Sequence, residues 1–332
     1  MQSSIHPSVI FFVSILLSGC ISAPDQPTIP PMKVDGDFLA ADVALSEFND
    51  EWWAQFDDTI MSGLIGQSLL ANKSLDVAAA NIRIAESIAA GQRLARTYST
   101  GTTTSATLGR AARAGQGVEV STQAGLGASW EFDAFGRIEA QIAAAEFDLE
   151  ATRQARRDVA VIVASQTALT YVQLRGAQRR LEVARKNAST QAEGLELLQT
   201  LLDNGSATQL DVERAEAQYR TTLASLPTFE AVIQTSVSGL AVLTGQPANE
   251  QDQAWDAIVT QTGDIPEHRG AIAAGSVDDL IRRRPDIRQA EAFIARQLAL
   301  GKAARADLFT TEIGRAHVCT PVTIRTRMPS SA

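Results

Sequence analysis

The segment VEVSTQAGLGASWEFDAFGR, residues 118–137, decides the fold because its pattern differs from that of the chain after it. Apolar or small residues occupy every second place over residues 118–130, and Glu, Ser, Gln and Gly stand between them. Alternation with a period of two predicts a β-strand with one apolar and one polar face. Residues 98–109 alternate in the same way, and residues 110–117 have the charge and glycine of a loop. The sequence therefore predicts a β-hairpin.

The second strand of this hairpin is long enough to cross a membrane. Residues 118–130 would extend about 43 Å at about 3.3 Å per residue, and a membrane-spanning strand needs about 9–11 residues. Small polar side chains on one face suit a watery lumen, whereas the apolar face and Trp130 suit lipid and its interface. Two strands cannot close a barrel, so a second repeat and other copies would complete it. Soluble sheets also alternate, and a soluble edge hairpin is the alternative.

The remaining pattern is mostly helical. Apolar residues three and four apart predict a helix from about Ile60 to Arg96, with Asp58 or Thr59 as its N-cap. Two longer helices, over about 137–202 and 209–244, carry apolar or small residues at seven-residue steps. These positions are Leu174, Leu181, Ala188, Leu195 and Leu202 in the first helix and Val212, Tyr219, Leu226, Ile233 and Leu240 in the second. The two helices predict a long antiparallel hairpin, which Pro227 should bend.

The turn between the two long helices is a candidate contact site. It reads Asp203-Asn204-Gly205-Ser206-Ala207-Thr208, where Gly205 suits the left-handed position after a helix and Thr208 suits the cap of the next one. Together with Asp211, the turn would expose backbone groups to a helical hairpin of a partner protein. The alternative is a turn that only connects the two helices.

A helix predicted from Ser276 onward repeats residues of the first helix at an offset of 210 positions. The matching pairs are Leu70 with Leu280, Asp76 with Asp286, Ala80 with Ala290, Ile84 with Ile294, Ala85 with Ala295, Ala89 with Ala299 and Gly91 with Gly301. This agreement predicts the start of a second copy of the same unit. Chance similarity between two alanine-rich helices is the alternative.

The last segment, residues 311–332, is basic and shows neither a helix nor a strand period in our interpretation. It looks like translated cloning or adapter sequence on a truncated reading frame, so we expect it not to be native. A chain that stops there would lack half of the strands and half of the helical wall that two complete repeats supply.

The first residues predict export and a lipid anchor. Residues 9–17 form an apolar run that is too short for a membrane-spanning helix, which needs about 20 residues, but suits a secretory signal. Leu17-Ser18-Gly19-Cys20 resembles the lipobox of bacterial lipoproteins, in which the cysteine sulfur receives a diacylglycerol group. Ile21 after the cysteine implies the outer membrane in that family. No Lys or Arg precedes the run, and an ordinary signal peptide with a chance cysteine is the alternative.

Composition narrows the classes of function. The chain has 332 residues and a net charge of −9, which argues against a nucleic-acid partner. The two cysteines and three histidines are scattered, without the spacing of a disulfide scaffold or of metal ligands. We find no glycine-rich phosphate loop, Ser/His/Asp set or recognisable carboxylate pair. We therefore expect a protein that is not an enzyme and has no cofactor, only a covalent lipid on Cys20.

Four motifs give the chain a resemblance to the outer-membrane factor family of TolC-like channels, and within it to the lipoprotein branch of tripartite multidrug efflux. The motifs are WWAQFD (52–57), WEFDAFGR (130–137), GSATQLD (205–211) leading to Ala215, and DLIRRRPDIR (279–288) with Ala290-Glu291 and ARADLF (304–309). The second and fourth motifs are the more specific. Together they cover roughly residues 20–309, which correspond to the first of two repeats and the opening helix of the second.

The resemblance implies a mainly α fold with a membrane β part, assembled as a homotrimer in the outer membrane. Each protomer would give four strands to a twelve-stranded β-barrel, two of them from this repeat, and antiparallel helical hairpins to a long periplasmic α-barrel. The channel would pass drugs or other solutes passively from an inner-membrane pump to the exterior. A periplasmic adaptor protein would bind the tip at Asp203, Asn204, Gly205, Ser206, Ala207, Thr208 and Asp211. Outer-membrane lipid would hold the lipid anchor on Cys20.

The expected segments of the chain follow from these assignments. They are a lipoprotein signal peptide (1–19), an N-terminal linker and equatorial segment (20–58), a periplasmic helix (59–97), a β-barrel hairpin (98–132), a long periplasmic helical hairpin (133–247), a connector (248–275), the start of the second-repeat helix (276–310) and the tail (311–332). A channel for type I secretion or for metal efflux would share this architecture. A soluble periplasmic coiled-coil adaptor or scaffold is the alternative from another class.

Overall fold

The structure is a computed structural model that describes residues 43–44, 51–110, 118–246, 258, 263–268, 272–273 and 277–325. These residues all belong to Met32–Ala332, one of the two units into which the chain divides. The predicted signal segment 1–19 and the lipidation site Cys20 lie outside the described residues. So do the loop 111–117 and most of the predicted connector.

The described part of the chain contains helices of very different lengths and two sheets. The helices are α1 (Thr59–Ala71), α2 (Lys73–Leu94), α3 (Arg137–Asp203), α4 (Gln209–Thr244), α5 (Val277–Arg283) and α6 (Pro285–Ala306), with a 3₁₀ turn at Trp52–Phe56. The strands are β1 (Val43–Ala44), β2 (Ser99–Arg110), β3 (Val118–Phe132), β4 (Ile272–Ala273) and β5 (Glu312–Arg325). Strands β1 and β4 pair in parallel, and the other sheet has the order β2-β3-β5 with antiparallel pairs.

The single helix expected from about Ile60 to Arg96 is wrong, because Asn72 divides it into α1 and α2. Asn72 is extended, with φ −67° and ψ 130°, and is both the C-cap of α1 and the N-cap of α2. Its side-chain oxygen accepts a hydrogen bond from the Ser74 N–H at 2.9 Å, and its side-chain amide donates to the Leu243 carbonyl at 2.9 Å. The second bond reaches α4, so the local periodicity of the segment does not reveal the break.

The long helices α3 and α4 form the predicted antiparallel hairpin. Helix α3 has 67 residues, which at about 1.5 Å per residue makes it roughly 100 Å long, and α4 has 36 residues. The buried heptad residues are Leu174, Leu181, Ala188, Val212, Ile233 and Leu240. Helix α4 continues through Pro227. Helix α4 is also long and apolar enough to allow a membrane span by length and composition, and part of its apolar surface is buried in the seam against α3.

The core lies at the base of the hairpin, where α1 packs against α3 and α4. The most buried apolar residues there are Met61, Ile65, Tyr171, Leu174 and Leu240. The rings of Trp52, Trp53 and Phe56 pack against this core and meet one another edge to face. Towards the other end of the hairpin no side chain is buried from residue 189 to residue 211. Among the described residues, that end of the hairpin therefore has no buried core.

The helix predicted from Ser276 is also interrupted. Arg284, extended with φ −62° and ψ 120°, separates α5 from α6, which begins at Pro285. Proline favours the first position of a helix and disfavours a helical conformation in the residue before it. Helices α6 and α2 have the same length, 22 residues, and both lie along α3. This shared arrangement supports the repeat seen in the sequence.

The two predicted strands are present. Strands β2 and β3 pair from Ser99 opposite Ser129 to Arg110 opposite Val118. Our interpretation of residues 311–332 as lacking a strand period is wrong for residues 312–325, which form β5 along the other edge of β3. Gly, Ala, Val, Thr, Val and Ile occupy the even positions from 314 to 324, with mostly polar residues between them. The basic residues and Pro321 obscured this alternation, although proline is compatible with an edge strand.

Candidate functional site

The antiparallel sheet has two chemically different faces. Leu126 lies opposite Thr102 on β2 and opposite Val318 on β5, and Leu126 and Val318 are 65% and 71% exposed. The next register position, Gly125 opposite Thr103, belongs to the other face. None of the described side chains of β2 and β3 is buried. An apolar sheet face that no helix covers fits a position between lipid and a polar lumen.

Aromatic side chains mark one end of the apolar face. Trp130 and Phe132 share the parity of Leu126, their ring centroids lie 5.8 Å apart, and both are about half exposed. Tyr98, directly before β2, is exposed as well. At this end the strands join α2 and α3. Exposed rings at the end of an apolar strand surface are typical of a membrane–water interface.

At the same end an arginine connects the sheet with the helices. Arg137, the first residue of α3, donates from Nε and Nη2 to one oxygen of Glu131 in β3, at 3.1 and 2.5 Å. Its Nε also lies 3.8 Å from Asp307 Oδ1 at the end of α6. The hydrogen bond to Glu131 raises the pKa of Arg137, so the guanidinium stays charged. The rings of Phe135 and Phe309 stack with centroids 4.7 Å apart. The junction thus joins the WEFDAFGR and ARADLF motifs.

A buried polar network at the base of the hairpin was not predicted from the sequence. Asp58 caps α1 by accepting two backbone N–H groups, and its Oδ2 accepts a hydrogen bond from the Tyr171 hydroxyl at 3.0 Å. Arg175 Nε donates to the Tyr171 oxygen at 3.0 Å, and Arg175 Nη1 donates to Gln178 Oε1 at 2.9 Å. Burial raises the pKa of Tyr171, against the opposing effect of Arg175.

The same network holds part of the predicted connector. The Gln178 side-chain amide donates to the Ile258 carbonyl at 3.0 Å. Gly263 lies so close to Arg175 that an added Cβ would stand 3.1 Å from the guanidinium carbon. The sequence does contain a signal for these residues, because Arg175 and Gln178 are polar residues on the stripe of α3 that carries its buried apolar side chains. We used only the apolar members of that stripe.

The turn between α3 and α4 has a defined backbone geometry. Asn204 is the C-cap of α3, and Gly205 has a left-handed φ of 71°. The Gly205 N–H donates to the Leu202 carbonyl at 2.9 Å, and the Ser206 N–H donates to the Leu201 carbonyl at 2.8 Å. These two hydrogen bonds define a Schellman motif. Glycine at position 205 is therefore a requirement of the turn.

Thr208 and Asp211 form a capping box at the start of α4. The N–H and hydroxyl of Thr208 donate to Asp211 Oδ2 at 3.1 and 2.6 Å, and the Asp211 N–H donates back to the Thr208 hydroxyl at 3.3 Å. These hydrogen bonds lower the pKa of Asp211. Apart from the half-buried Ala207, the predicted tip residues are exposed. The structure brings them together in one turn, and their binding to a partner stays a prediction.

The described residues show no other obvious ligand site. They contain no group of three or more His, Cys, Asp or Glu side chains that could hold a metal ion. The lipidation of Cys20 stays a prediction, since this residue lies outside the described part of the chain.

Comparison with known proteins places the middle of the chain in a characterised group. The family described as Outer membrane efflux protein matches residues 64–246, which is more than half of the chain. The matched region contains α2, the β2–β3 hairpin and the α3–α4 hairpin.

Two relatives illustrate the similarity in sequence. Nodulation protein T of Rhizobium leguminosarum bv. trifolii is 30% identical over 308 residues, covering 90% of this chain and 64% of that protein. Pyoverdine export outer membrane protein OpmQ of Pseudomonas aeruginosa is 28% identical over 318 residues, covering 89% of this chain and 63% of that protein. The chain therefore spans less than two thirds of the length of these curated relatives.

A solved structure shows the likeness in fold. The outer-membrane channel OprN has a TM-score of 0.76 and 30% sequence identity, covering 90% of this chain and 71% of that chain. The Campylobacter jejuni CmeC outer membrane channel, at 15% identity, reaches a TM-score of 0.73 and adds likeness in fold alone. The predicted mainly α fold with a separate strand part is confirmed.

Proposed function

Because the chain belongs to the outer membrane efflux protein family, we propose that it is a subunit of an outer-membrane channel in a tripartite efflux system. The channel is a passive conduit, and it conducts drugs or other solutes that a pump in the inner membrane delivers. The helices α3 and α4 form part of a wall in the periplasm, and the β2–β3 hairpin forms part of a barrel in the membrane.

The observation that carries this proposal is the uncovered apolar face of the sheet. Leu126 is 65% exposed in the middle of β3, with Thr102 beside it and aromatic rings at one end of the same face. Burying such a face in lipid removes its apolar surface from water. The glycine- and serine-rich opposite face then lines the lumen, where small polar side chains leave room for solutes.

The assembly we propose is a homotrimer. Strands in a bilayer need a closed barrel, because an open edge leaves backbone N–H and C=O groups without partners in hydrocarbon. A second repeat and other copies of the full-length protein supply the remaining strands, and the exposed apolar residues of the outer helices meet neighbouring subunits. Examples of such residues are Val77 and Ile84 on α2 and Ile162 on α3, each more than half exposed.

The partners we propose are a periplasmic adaptor protein at the hairpin turn and the inner-membrane pump behind it. The geometry of the turn from Asp203 to Asp211 supports its assignment as the adaptor contact, because its Schellman motif and capping box hold an exposed backbone in one conformation. A preformed surface loses less conformational entropy when a partner binds.

Cys20 carries the lipid anchor in this proposal. Loss of palmitate labelling in Cys20→Ser tests the lipidation separately from the partners.

Cysteine labelling in the full-length gene product tests the membrane sheet. Leu126→Cys lies on the apolar face and Gln123→Cys on the polar face, both in a background from which other free cysteines have been removed. In outer-membrane vesicles a charged maleimide should react with position 123 and react at least about tenfold more slowly with position 126, where lipid excludes it. In denaturant both positions should react equally.

Equal labelling of the two positions in vesicles would contradict the membrane assignment and favour a soluble scaffold. Sedimentation of the detergent-extracted protein then tests the assembly. A trimer extracted only by detergent agrees with the proposal, and a product that is fully soluble without detergent does not.

A further inference from the structure

The junction between the sheet and the helices contains a charged residue whose position its own helix does not explain. Arg137 stands at the first position of α3, where the positive end of the helix dipole disfavours a cation. Asp307 stands at the C-cap of α6, where the negative end disfavours an anion. Each of these charges is thus unfavourable for the helix that carries it.

Contacts between elements compensate both charges. Arg137 makes two hydrogen bonds to Glu131 on β3, and the Arg137 and Glu131 side chains are both only 23% exposed. The Asp307 carboxylate lies within 3.8 Å of the same guanidinium. Partial burial reduces the screening of this pair by solvent, while the partial desolvation of both charges opposes that gain.

Two neighbouring contacts also stabilise the junction between β3, α3 and α6. Asp133 accepts a hydrogen bond from the Glu139 N–H at 2.8 Å, which already satisfies the start of α3 with a favourable negative charge. Phe135 and Phe309 stack at an interplanar angle of 16°, so the segments before α3 and after α6 also meet through their rings. The start of α3 therefore does not require an arginine for capping, and the contacts of Arg137 are made to β3 and α6 instead.

We propose that Arg137 is a positioning residue that sets the direction in which β3 leaves the helical wall, by binding Glu131 while it faces Asp307. The inference rests on the proposed function, because a conduit needs its strand part and its helical part held in line. Without the arginine, β3 and the ends of α3 and α6 keep the connecting peptide segments, the Asp133–Glu139 hydrogen bond, the stacked rings and the pairing of β3 with β5, but they lose the charged pair that joins strand and helix. The sheet then tilts over a wider range relative to the wall.

Distance measurement between spin labels tests this role in the full-length gene product in outer-membrane vesicles. Labels at Thr104 on β2 and Arg156 on α3, both exposed, span the junction. Labelled chains are diluted with unlabelled ones so that distances between subunits do not contribute. Arg137→Gln should broaden the distance distribution by about twofold, because the hydrogen-bonded pair that fixes the geometry is lost. Arg137→Lys keeps the charge and should give an intermediate width.

Arg153→Gln is the matched control. Arg153 lies farther along α3, and its substitution removes an exposed ion pair with Glu86 on α2 while leaving the sheet unchanged. Its distance distribution should equal that of the wild type. If Arg137→Gln does not reach the membrane, Glu131→Gln neutralises the acceptor from the strand side, which weakens the pair, and should also broaden the distribution.

An unchanged width in Arg137→Gln or in Glu131→Gln overturns the inference. So does a fall in the helical melting temperature of the variant compared with Arg153→Gln, because the arginine would then act on general stability. Failure of the proposed function is recognised separately, as a wild-type protein that neither enters the outer membrane nor forms a trimer.

Discussion

Among single residues, Arg175 is a charged side chain in a buried environment, because it is only 2% exposed. It binds Tyr171 and Gln178, and its guanidinium lies 5.1 Å from the centre of the Tyr171 ring. Arg175→Ala should lower the free energy of unfolding by about 3–5 kcal/mol, since it leaves buried polar partners unpaired. Arg179→Ala, at an exposed position one turn later, should change it by less than about 0.5 kcal/mol. Urea unfolding followed by circular dichroism measures both values, and equal effects would contradict the prediction.

The lowered pKa of Asp211 leads to a prediction of how the turn responds to pH. Its hydrogen bonds to Thr208 lower its pKa in the folded state, and Arg214 adds a smaller effect in the same direction. In the unfolded chain the pKa of Asp211 is higher, about 3.9. The stabilisation is therefore complete above that value and is lost as the pH falls through the lower folded pKa. Hydrogen exchange of the first turn of α4, corrected for intrinsic rates, should accelerate below about pH 4.

Asp211→Asn is the control for this prediction. It removes the titrating group, so the corrected exchange of the same segment should already be faster at neutral pH and should change little on acidification. An identical acid response in the two proteins would show that Asp211 is not the group responsible.

At the scale of elements, α2 is held against α3 by a ladder of ion pairs. Arg93 binds Glu146 at 2.8 Å, Arg153 binds Glu86 at 3.3 Å, and Arg96 and Glu139 form a third pair. All of these side chains are roughly half exposed, so each pair contributes no more than about 1 kcal/mol. The ladder sets the register of the two helices more than their stability, because a shift of either helix would misalign every pair.

Charge reversal tests the ladder. Arg93→Glu places two carboxylates together and should lower the free energy of unfolding by about 0.5–1 kcal/mol, whereas the double variant Arg93→Glu/Glu146→Arg should recover most of that loss. In about 0.5 M salt the difference should shrink, since the charges are screened. Arg93→Gln serves as control because it removes the attraction without adding repulsion. Chemical denaturation at two salt concentrations gives the coupling energy, and the absence of recovery in the double variant would contradict the ladder.

Periodicity predicted the elements better than it predicted their ends. The heptads of α3 and α4 were readable because the buried seam repeats every seven residues, and Gly205 and Thr208 marked the turn through their own conformational preferences. The breaks at Asn72 and Arg284 were missed for different reasons. Asn72 is fixed by a hydrogen bond to Leu243, which is 171 positions away, whereas the proline that begins α6 was a local signal that our interpretation did not use.

At the scale of the whole molecule, the sequence identified the family through its motifs, and the structure explains why two of them are specific. Residues of WEFDAFGR and ARADLF lie 174 positions apart in the chain at Phe135 and Phe309, yet their rings stack at one junction. Alternation predicted β2 and β3 but could not show that their apolar face has no helix against it. The buried network around Arg175 could not be predicted from local sequence patterns either, because its members come from the N-cap of α1, from α3 and from the connector.

The membrane orientation of the sheet predicts an asymmetric response to charge. Leu126→Arg places a cation on the face assigned to lipid near the middle of β3, and it should destabilise the folded protein in a bilayer by about 2–4 kcal/mol. Thr103→Arg places the same side chain on the neighbouring strand and the opposite face, where water solvates it, and should cost less than about 1 kcal/mol. The folded fraction of the full-length gene product in lipid vesicles, measured by heat-modifiable electrophoretic mobility, compares the two. Because both substitutions introduce the same charged side chain, equal losses would mean that lipid does not distinguish the faces, and the sheet would not belong to a membrane barrel.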